Sequence, residues 1–421
     1  MTLLDELHHP EKYFRIFFKW GLLGLLMGIL GGFLGAFFHH TLRFVTELRV
    51  GHPRLIFLLP VGGLLTVGLY RVFGMRNNRG TNEIIDAILN KEPVNPLVAP
   101  VIFIATSITH LFGGSAGREG AALQLGGSVA SELGKLLRLK EEERTVLIMS
   151  GMSAVFAGLF GTPLTATLFT MEFASVGTIF SPALLPTYLA AFTASRVSLS
   201  MGVHAETVML EETVVFTATT NWKVLVLAVL IGLLSIAMCY LFHKAEHLAA
   251  RFFPNSWIRI VVGAVVVTVL TLLVGDHRYN GAGMDMALAA VDGSADWYDF
   301  ILKLLFTAVT LSAGFKGGEI VPTFCIGATF GCTLGGLLGL DPGIAAALGL
   351  VGLFCCVTNS PITAIILSIE MFGSTNLYLF AFVCVIAFVI SGNWGLYASQ
   401  IIQFSKARLV RKDFHDENAN H

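Results

Sequence analysis

The sequence predicts an all-α polytopic membrane protein built from broken helices, and three observations lead to this fold class. The first is composition: 55% of the 421 residues are hydrophobic and only 13% are charged, about half the roughly 25% charged share of soluble domains. The second is a series of apolar runs, several of them long enough for the ~20 residues of a bilayer-spanning helix. The third is the Gly and Pro inside those runs, which predict helices that break at membrane depth.

The apolar runs are separated by polar stretches. They occupy residues 21–39, 55–74, 97–112, 145–160, 164–200, 223–247, 257–275, 299–313, 323–340, 343–357 and 374–403. Some are shorter than one span, and others are too long for a single helix. Irregular backbone inside a bilayer is tolerated only where it is buried in protein or lines a cavity. The pattern therefore favours a transporter or channel over a passive anchor.

A single transmembrane domain accounts for most of the chain. We predict a cytoplasmic N-terminal segment at 1–19, a transmembrane domain at 20–403 and a short cytoplasmic tail at 404–421. Basic residues near both ends, among them Arg15 and Arg411, place both termini on the cytoplasmic side, where flanking segments carry an excess of Lys and Arg. The net charge of -1 is too balanced for a nucleic-acid partner, which requires a basic face.

No residue pattern indicates a metal site, a cofactor site or a catalytic centre. The six cysteines lie in apolar runs without a C-x-x-C pair or a His at ligand spacing, so we predict them as buried core residues. An intramembrane enzyme would need a nucleophile–base pair or metal ligands such as His-Glu-x-x-His, and the sequence shows neither. We therefore expect no metal, no cofactor and no enzymatic activity.

The chain contains an internal repeat, visible in two pairs of motifs. One pair shares Pro-x-Thr-Ala with a Glu nine positions after the Pro, at an offset of 198 residues: Gly161 to Glu172 and Asn359 to Glu370. The other pair, at an offset of 200 residues, comprises Gly114-Ser-Ala-Gly-Arg-Glu119 and Gly314-Phe-Lys-Gly-Gly-Glu319. Two motifs in the same order predict two halves, at about 20–200 and 220–403. Transporters with internal repeats place their sites where half-helix ends meet near the membrane midplane.

Each copy of the second motif is a Gly-rich turn that opens an apolar helix. Glycines permit close approach of the backbone, and the first turn of a helix presents unpaired N–H groups at the positive end of its dipole. Such an end binds an anion without a full cationic charge. Two of them, one per repeat, can hold a single dehydrated anion. The alternative is a pair of Gly-rich packing turns without a ligand.

Glu119 stands at the first of these helix starts, and an ionisable side chain in an apolar stretch is costly and hence a functional candidate. Its carboxylate can occupy the anion site, and protonation would free that site, so exchange of an anion for a proton follows. The alternative is a Glu that only caps the helix. We predict Arg118 as a structural partner of carboxylates or helix ends. We predict Glu172 and Glu370 as hydrogen-bonded or ion-paired core residues, with a proton relay as the alternative.

These motifs resemble the signatures of the CLC family of anion channels and anion/proton antiporters. The Gly-Arg-Glu-Gly run that ends at Gly120 matches the family's Gly-Arg/Lys-Glu-Gly signature. The Gly-Gly pair that ends at Gly318, followed by Pro322, and then Tyr397 match two further signatures in order. The stretch that begins at Gly80 resembles the first signature, Gly-Ser-Gly-Ile-Pro-Glu. The resemblance covers about 20–403.

The resemblance implies a homodimer with a separate pore in each subunit, built from two inverted repeats of broken, tilted helices. It implies that Glu119 is the gating glutamate and that Tyr397 caps the central anion. It also implies that three of these four signatures supply further anion-binding groups: Gly117, Arg118, Gly120, Gly318, Ile320, Gly80, Thr81 and Asn82.

Departures from the family pattern resemble its fluoride-exporting branch. The first signature lacks its serine, so the serine hydroxyl that the family places at the central site is missing, and Phe173 stands where chloride/proton exchangers have an inner glutamate. Glu319 follows Gly-Gly, as in the fluoride branch, where this second glutamate is thought to take part in proton coupling. Val321 differs from that branch, which has Thr there.

The resulting expectation is a proton-coupled fluoride exporter of a bacterial inner membrane. Its partners would be fluoride or chloride ions, protons and the lipid bilayer. The alternatives are a chloride/proton exchanger and a passive chloride channel of the same fold.

Overall fold

The computed structural model describes residues 10–210 and 217–406, most of them in helices. The predictions for residues 1–9 and for the tail from residue 407 onwards lie outside the described residues. Six helices in the described ranges are long and apolar enough to cross a membrane. Helix α1 carries exposed Phe14, Phe18 and Leu22, large apolar side chains that suit lipid rather than water as a solvent.

In the described ranges the α-helices form two series of eight in the same order. The first series is α1 Pro10–Gly51, α2 Leu59–Val72, α3 Thr81–Leu89, α4 Val98–Leu111, α5 Glu119–Leu136, α6 Glu141–Phe160, α7 Pro163–Glu172 and α8 Leu184–Ser200. The second is α9 Ala218–Phe252, α10 Ser256–Val274, α11 Met284–Val291, α12 Asp299–Ala313, α13 Ile320–Leu338, α14 Pro342–Thr358, α15 Pro361–Phe372 and α16 Leu377–Ile390. Two short 3₁₀ helices span Pro53–Leu58 and Ser181–Ala183, and β1 (Ser175–Val176) pairs in parallel with β2 (Ile401–Ile402).

The repeat-related helices α7 and α15 cap each other. Glu172, at the end of α7, accepts hydrogen bonds from the N–H (2.8 Å) and the hydroxyl (2.6 Å) of Thr363 in the first turn of α15. Glu370, near the end of α15, accepts the same two bonds from Thr165 in the first turn of α7 (2.8 and 2.6 Å). Each helix therefore ends where its counterpart begins, so the two run antiparallel and the repeats are inverted. The predicted hydrogen bonding of both glutamates is confirmed, with Glu172 buried in the core and Glu370 partly buried.

The two halves also share a close helix crossing. Gly126 of α5 faces Gly151 of α6, and Gly327 of α13 faces Gly349 of α14; a Cβ at any of the four would collide with the backbone of the partner helix. Small residues at such crossings let helix backbones approach closely in a membrane. Helices α6 and α14 consequently lie at the centre of the bundle, and almost all of their residues are buried.

Several element boundaries differ from the sequence predictions. Helix α1 begins at Pro10 and runs unbroken through residue 20, the predicted start of the membrane domain, and run 164–200 splits into two helices. The predicted polar stretches 75–96 and 276–296 each contain a short helix, α3 and α11. Helix α3 is missed by hydropathy because only one face is apolar, with Ile84, Ile85 and Ile88 buried. The six cysteines are free and buried, as predicted.

Candidate functional site

The two Gly-rich turns meet at the centre of the molecule. Gly117 and Gly318 form an antiparallel bridge in which the N–H of each donates to the carbonyl of the other, at 2.7 and 2.9 Å. Helix α5 begins two residues after the first turn's glycine, at Glu119, and α13 begins at Ile320. The bridge therefore holds two helix N-termini, one from each repeat, side by side. Their first-turn N–H groups lack partners within the helix.

The Glu119 carboxylate lies at this meeting point and is fully buried. It packs against Gly117 and Gly318, where a Cβ would collide with its oxygens. The backbone N–H groups of Arg118, Glu119 itself and Val321 face it. Within the described residues neither oxygen completes a hydrogen bond. The carboxylate thus occupies a pocket of backbone dipoles that suits an anion. Glu119 lies where the two repeats meet, as the sequence predicted.

The Arg118 side chain points away from this pocket. Its guanidinium pairs with Glu206 at 2.5 Å, lies 3.4 Å from Nδ1 of His39 and stacks over the ring of Phe160 at 4.9 Å. The prediction that Arg118 pairs with a carboxylate is confirmed. The partner, Glu206, lies in the segment between the repeats and was not predicted. Only the backbone of Arg118 faces Glu119.

A cavity of about 280 Å³, which we call the vestibule, lies next to the meeting point. It brings together residues of three of the four signatures that the sequence singled out: Gly80, Thr81, Asn82, Glu319 and Tyr397. The Tyr397 hydroxyl is buried and has no hydrogen-bond partner in the described part of the chain. It lies within electrostatic range of the carboxyl groups of both Glu119 and Glu319. A buried hydroxyl without a partner is available to donate to an anion.

Thr81, which the resemblance names as an anion-binding candidate, lies against the start of α5. A Cβ on Gly120, in the first turn of α5, would lie 3.0 Å from the Thr81 hydroxyl. Gly80 adopts a φ of 63°, which is open to glycine, and this turn brings the first residue of α3 against α5. The serine of the family signature is absent, and Thr81 brings a different hydroxyl to the start of α5.

The side-chain carbonyl oxygen of Asn82 bonds to the loop that carries Tyr397 and not to the pocket. That oxygen accepts the N–H of Ser399 at 3.0 Å, and the Ser399 hydroxyl donates to Asp86 at 3.1 Å. Helix α3 thereby anchors the loop that carries the tyrosine. Ser399 and Asp86 were missed because they lie more than 300 positions apart in sequence, beyond the reach of any local pattern.

Lys303 is a second residue that the sequence analysis missed. It is fully buried in α12, and its ammonium donates to the Ser115 hydroxyl at 3.1 Å and to the carbonyls of Tyr279 and Gly281 at 3.1 and 2.7 Å. It thereby ties the turn that precedes Gly117 to the loop before α11. A lysine inside the apolar run 299–313 is a costly group, which was a signal available in the sequence.

Comparison with known proteins identifies the family. The profile of the voltage-gated chloride channel family matches residues 62–392. The chain is 34% identical over 395 residues to a chloride/fluoride channel protein of Pseudomonas syringae pv. tomato, covering 92% of this chain and 87% of that relative.

Solved structures agree. A CLC-type fluoride/proton antiporter is 38% identical, with a TM-score of 0.88 over 91% of this chain and 98% of the other. A slow cyanobacterial Cl-/H+ antiporter is 21% identical, with a TM-score of 0.75 over 89% of this chain and 94% of the other, and shows the fold alone. With the paired helix ends, the buried Glu119 and a matching profile over most of its length, this chain belongs to the CLC family of anion transporters and channels.

Proposed function

We propose that this chain is a fluoride/proton antiporter that exports fluoride from the cytoplasm. One observation carries the proposal: the Glu119 carboxylate lies where the N-termini of α5 and α13 meet, in a pocket that suits an anion. The relatives named for fluoride/proton antiport and for chloride/fluoride transport support the choice of substrate.

Exchange follows from competition for this pocket. Ionised Glu119 fills it with its own negative charge, which two helix dipoles stabilise. A proton from the opposite side neutralises the carboxyl, weakens this interaction and lets the side chain leave, so that an anion can take its place. When the anion departs, the proton is released and the carboxylate returns. One site thus alternates between a proton-bearing side chain and a mobile anion.

Glu319 and Tyr397 favour fluoride as the anion. Fluoride is small and strongly hydrated, so it needs strong hydrogen-bond donors in place of its water. The Tyr397 hydroxyl is one such donor, and a protonated Glu319 in the vestibule is another. Val321 is buried and has no hydroxyl, so position 321 offers Glu319 no side-chain hydrogen bond. We therefore assign proton coupling to Glu319 without the help of that position.

A chloride/proton exchanger is the second candidate, because one observation favours it. The Thr81 hydroxyl beside Gly120 restores a donor of the kind that the missing serine would have given. A passive channel is the third candidate, in keeping with the channel name of the relative from Pseudomonas syringae.

We further propose that the protein is a homodimer in a bacterial inner membrane, with a complete site in each subunit and both termini in the cytoplasm. Both helix ends of the site come from one chain, so a second copy is not needed to build it. The proposed anion-binding and coupling groups remain those of the sequence prediction, with Arg118 contributing its backbone alone.

The test is efflux from liposomes that contain the purified protein, loaded with fluoride or chloride, with a pH electrode outside. We expect fluoride efflux far faster than chloride efflux, with protons moving inward, and loss of both in Glu119→Ala. Glu132→Ala, which removes a carboxylate paired with Lys135 on the partly exposed end of α5, is the matched control and should transport like the parent.

The other outcomes assign the alternatives. Comparable chloride efflux with proton movement would assign the chloride exchanger. Anion efflux without proton movement would assign the channel. Glu319→Gln should reduce fluoride flux or its proton coupling, and unchanged values of both would remove Glu319 from the mechanism.

A further inference from the structure

A second cavity, of about 380 Å³, lies beside the vestibule and is called the side chamber here. The two cavities share four lining residues: Asn78, Arg259, Gly314 and Lys316. A solute that enters the side chamber therefore meets the same Lys316 and Arg259 that face the vestibule. None of the residues implicated in the exchange, Glu119, Glu319 or Tyr397, lines the side chamber.

The charge of the side chamber has one sign. Four basic residues line it, Arg71, Arg76, Arg259 and Lys316, and its lining within the described residues contains no Asp or Glu. Glu83 does not line the chamber, and its carboxylate accepts hydrogen bonds from the Asn78 side chain at 2.7 Å and from the N–H of Arg79 at 3.0 Å. The vestibule differs, because Glu246 and Glu319 line it as well. A mobile anion is accordingly attracted first to the side chamber.

Three donors on the chamber wall lack acceptors. The Tyr70 hydroxyl is buried, on a residue 5% exposed, and has no partner in the described ranges. Nε of Arg259 is buried and equally unpaired there. The Lys316 ammonium lies over the Tyr70 ring, 4.5 Å from its centre, and forms no ion pair with a described carboxylate within 4.0 Å. Buried donors without acceptors are costly, and an anion in the chamber would give the Tyr70 hydroxyl and Nε of Arg259 an acceptor, while the partly buried Lys316 adds its positive charge.

We propose that the side chamber is a docking site for a monovalent halide ion, held by Lys316, Arg259 and the Tyr70 hydroxyl before it enters the vestibule. The role in transport rests on the proposed function, whereas binding of the ion does not. A halide fits better than a larger anionic partner because the chamber shares its wall with the route to the helix ends, and the shared residues are its cations.

Transport kinetics test the role of the chamber. We expect Lys316→Met to raise the KM for fluoride about tenfold, as loss of one charge-assisted contact does, with kcat within about twofold. Lys316→Arg keeps the cation and should restore most of the affinity. Lys244→Met is the matched control: Lys244 also lies over a tyrosine ring, that of Tyr240, at 6.0 Å, but it is exposed and lines neither cavity. Its KM should equal that of the parent.

The dependence of KM on ionic strength distinguishes an electrostatic role of Lys316 from a merely structural one. An impermeant salt screens the chamber, so the parent KM should rise with ionic strength and that of Lys316→Met should rise less. An unchanged KM in Lys316→Met, in a parent that transports fluoride, would overturn the docking site and leave the proposed function intact.

Crystals of the full chain soaked in bromide test binding itself. A bromide peak between Lys316 and Tyr70 that is absent in Lys316→Met supports the docking site, even if the parent moves no fluoride in liposomes. A side chamber that holds no bromide, or that holds a lipid headgroup instead, overturns it.

Discussion

Replacing Glu172 with glutamine separates its structural role from a proton relay. Glu172 is 5% exposed; one of its oxygens accepts the N–H and hydroxyl of Thr363 at 2.8 and 2.6 Å, and the other accepts the N–H of Ile362 at 3.1 Å. Glutamine keeps one acceptor oxygen and turns the other into an amide donor that faces an N–H donor. The first turn of α15 then loses one hydrogen bond and the negative charge at its positive end.

The cost follows from these two losses. A buried hydrogen bond to a charged group contributes about 1.5–3 kcal/mol, and a favourable charge at a helix N-terminus about 0.3–2 kcal/mol. Because the two terms overlap, we expect the free energy of unfolding to fall by about 2–3 kcal/mol. Glu370→Gln removes the equivalent cap from α7 and should cost the same. The caps lie at opposite ends of a ten-residue helix, about 15 Å apart, so the double variant should lose about 4–6 kcal/mol.

The assay is reversible unfolding of the purified protein in mixed micelles by added sodium dodecyl sulfate. Glu132→Gln, which changes a partly exposed pair with Lys135, is the control and should shift stability by less than about 1 kcal/mol. The ratio of protons to anions in liposomes should be the same in Glu172→Gln as in the parent. Unaltered stability together with a lower proton ratio would refute the capping argument and assign Glu172 to a proton relay.

Three further changes test the site and its surroundings. Gly318→Ala should abolish most transport, because the new Cβ would collide with the Glu119 carboxylate. The control is Gly336→Ala, whose Cβ meets no atom within 4 Å and which should transport normally. Equal flux in the two variants would contradict the packing of Glu119 on Gly318. Thr81→Val should raise the anion KM several-fold in the same assay, and an unchanged KM would remove its hydroxyl from the site. A hydrogen bond from Arg278 lowers the pKa of Asp296 in the folded protein. The ionised carboxylate therefore stabilises the fold above the usual Asp pKa, and this stabilisation is lost as the pH falls through the lowered pKa. Asp296→Asn should accordingly flatten the acid end of a curve of unfolding free energy against pH.

The sequence predicted the parts of the site that are local. A Gly-rich turn followed by an apolar run defines a helix start wherever it occurs, so Glu119 and Glu319 were found as helix-start residues, and the 200-residue offset paired them before any contact was known. Helix α3 was not predicted because it is only nine residues long and lies in a polar stretch. Hydropathy over a window of about 19 residues averages such a helix away.

The unpredicted parts are contacts between distant segments. Arg118 was expected to pair with a carboxylate, but which one depends on where the segment between the repeats passes, and Glu206 has no pattern of its own. Thr81 was a candidate from its place in the first signature, but its contact with Gly120 was not predicted. The packing of α3 on α5 decides which hydroxyl reaches Gly120, and no local pattern gives that packing.

The inverted repeat explains why a symmetric framework yields an asymmetric site. The carboxylate of Glu119 lies on Gly117 and Gly318. Under the repeat, the equivalent cradle for Glu319 would consist of Gly317 and Arg118, and the second of these carries a long side chain that is engaged with Glu206. Only one of the two related glutamates therefore has a cradle made of two glycines. Glu319 instead lines the vestibule. Arg118 and Gly318 stand at equivalent positions of the two repeats, and this one difference is enough to give the two carboxyl groups different environments.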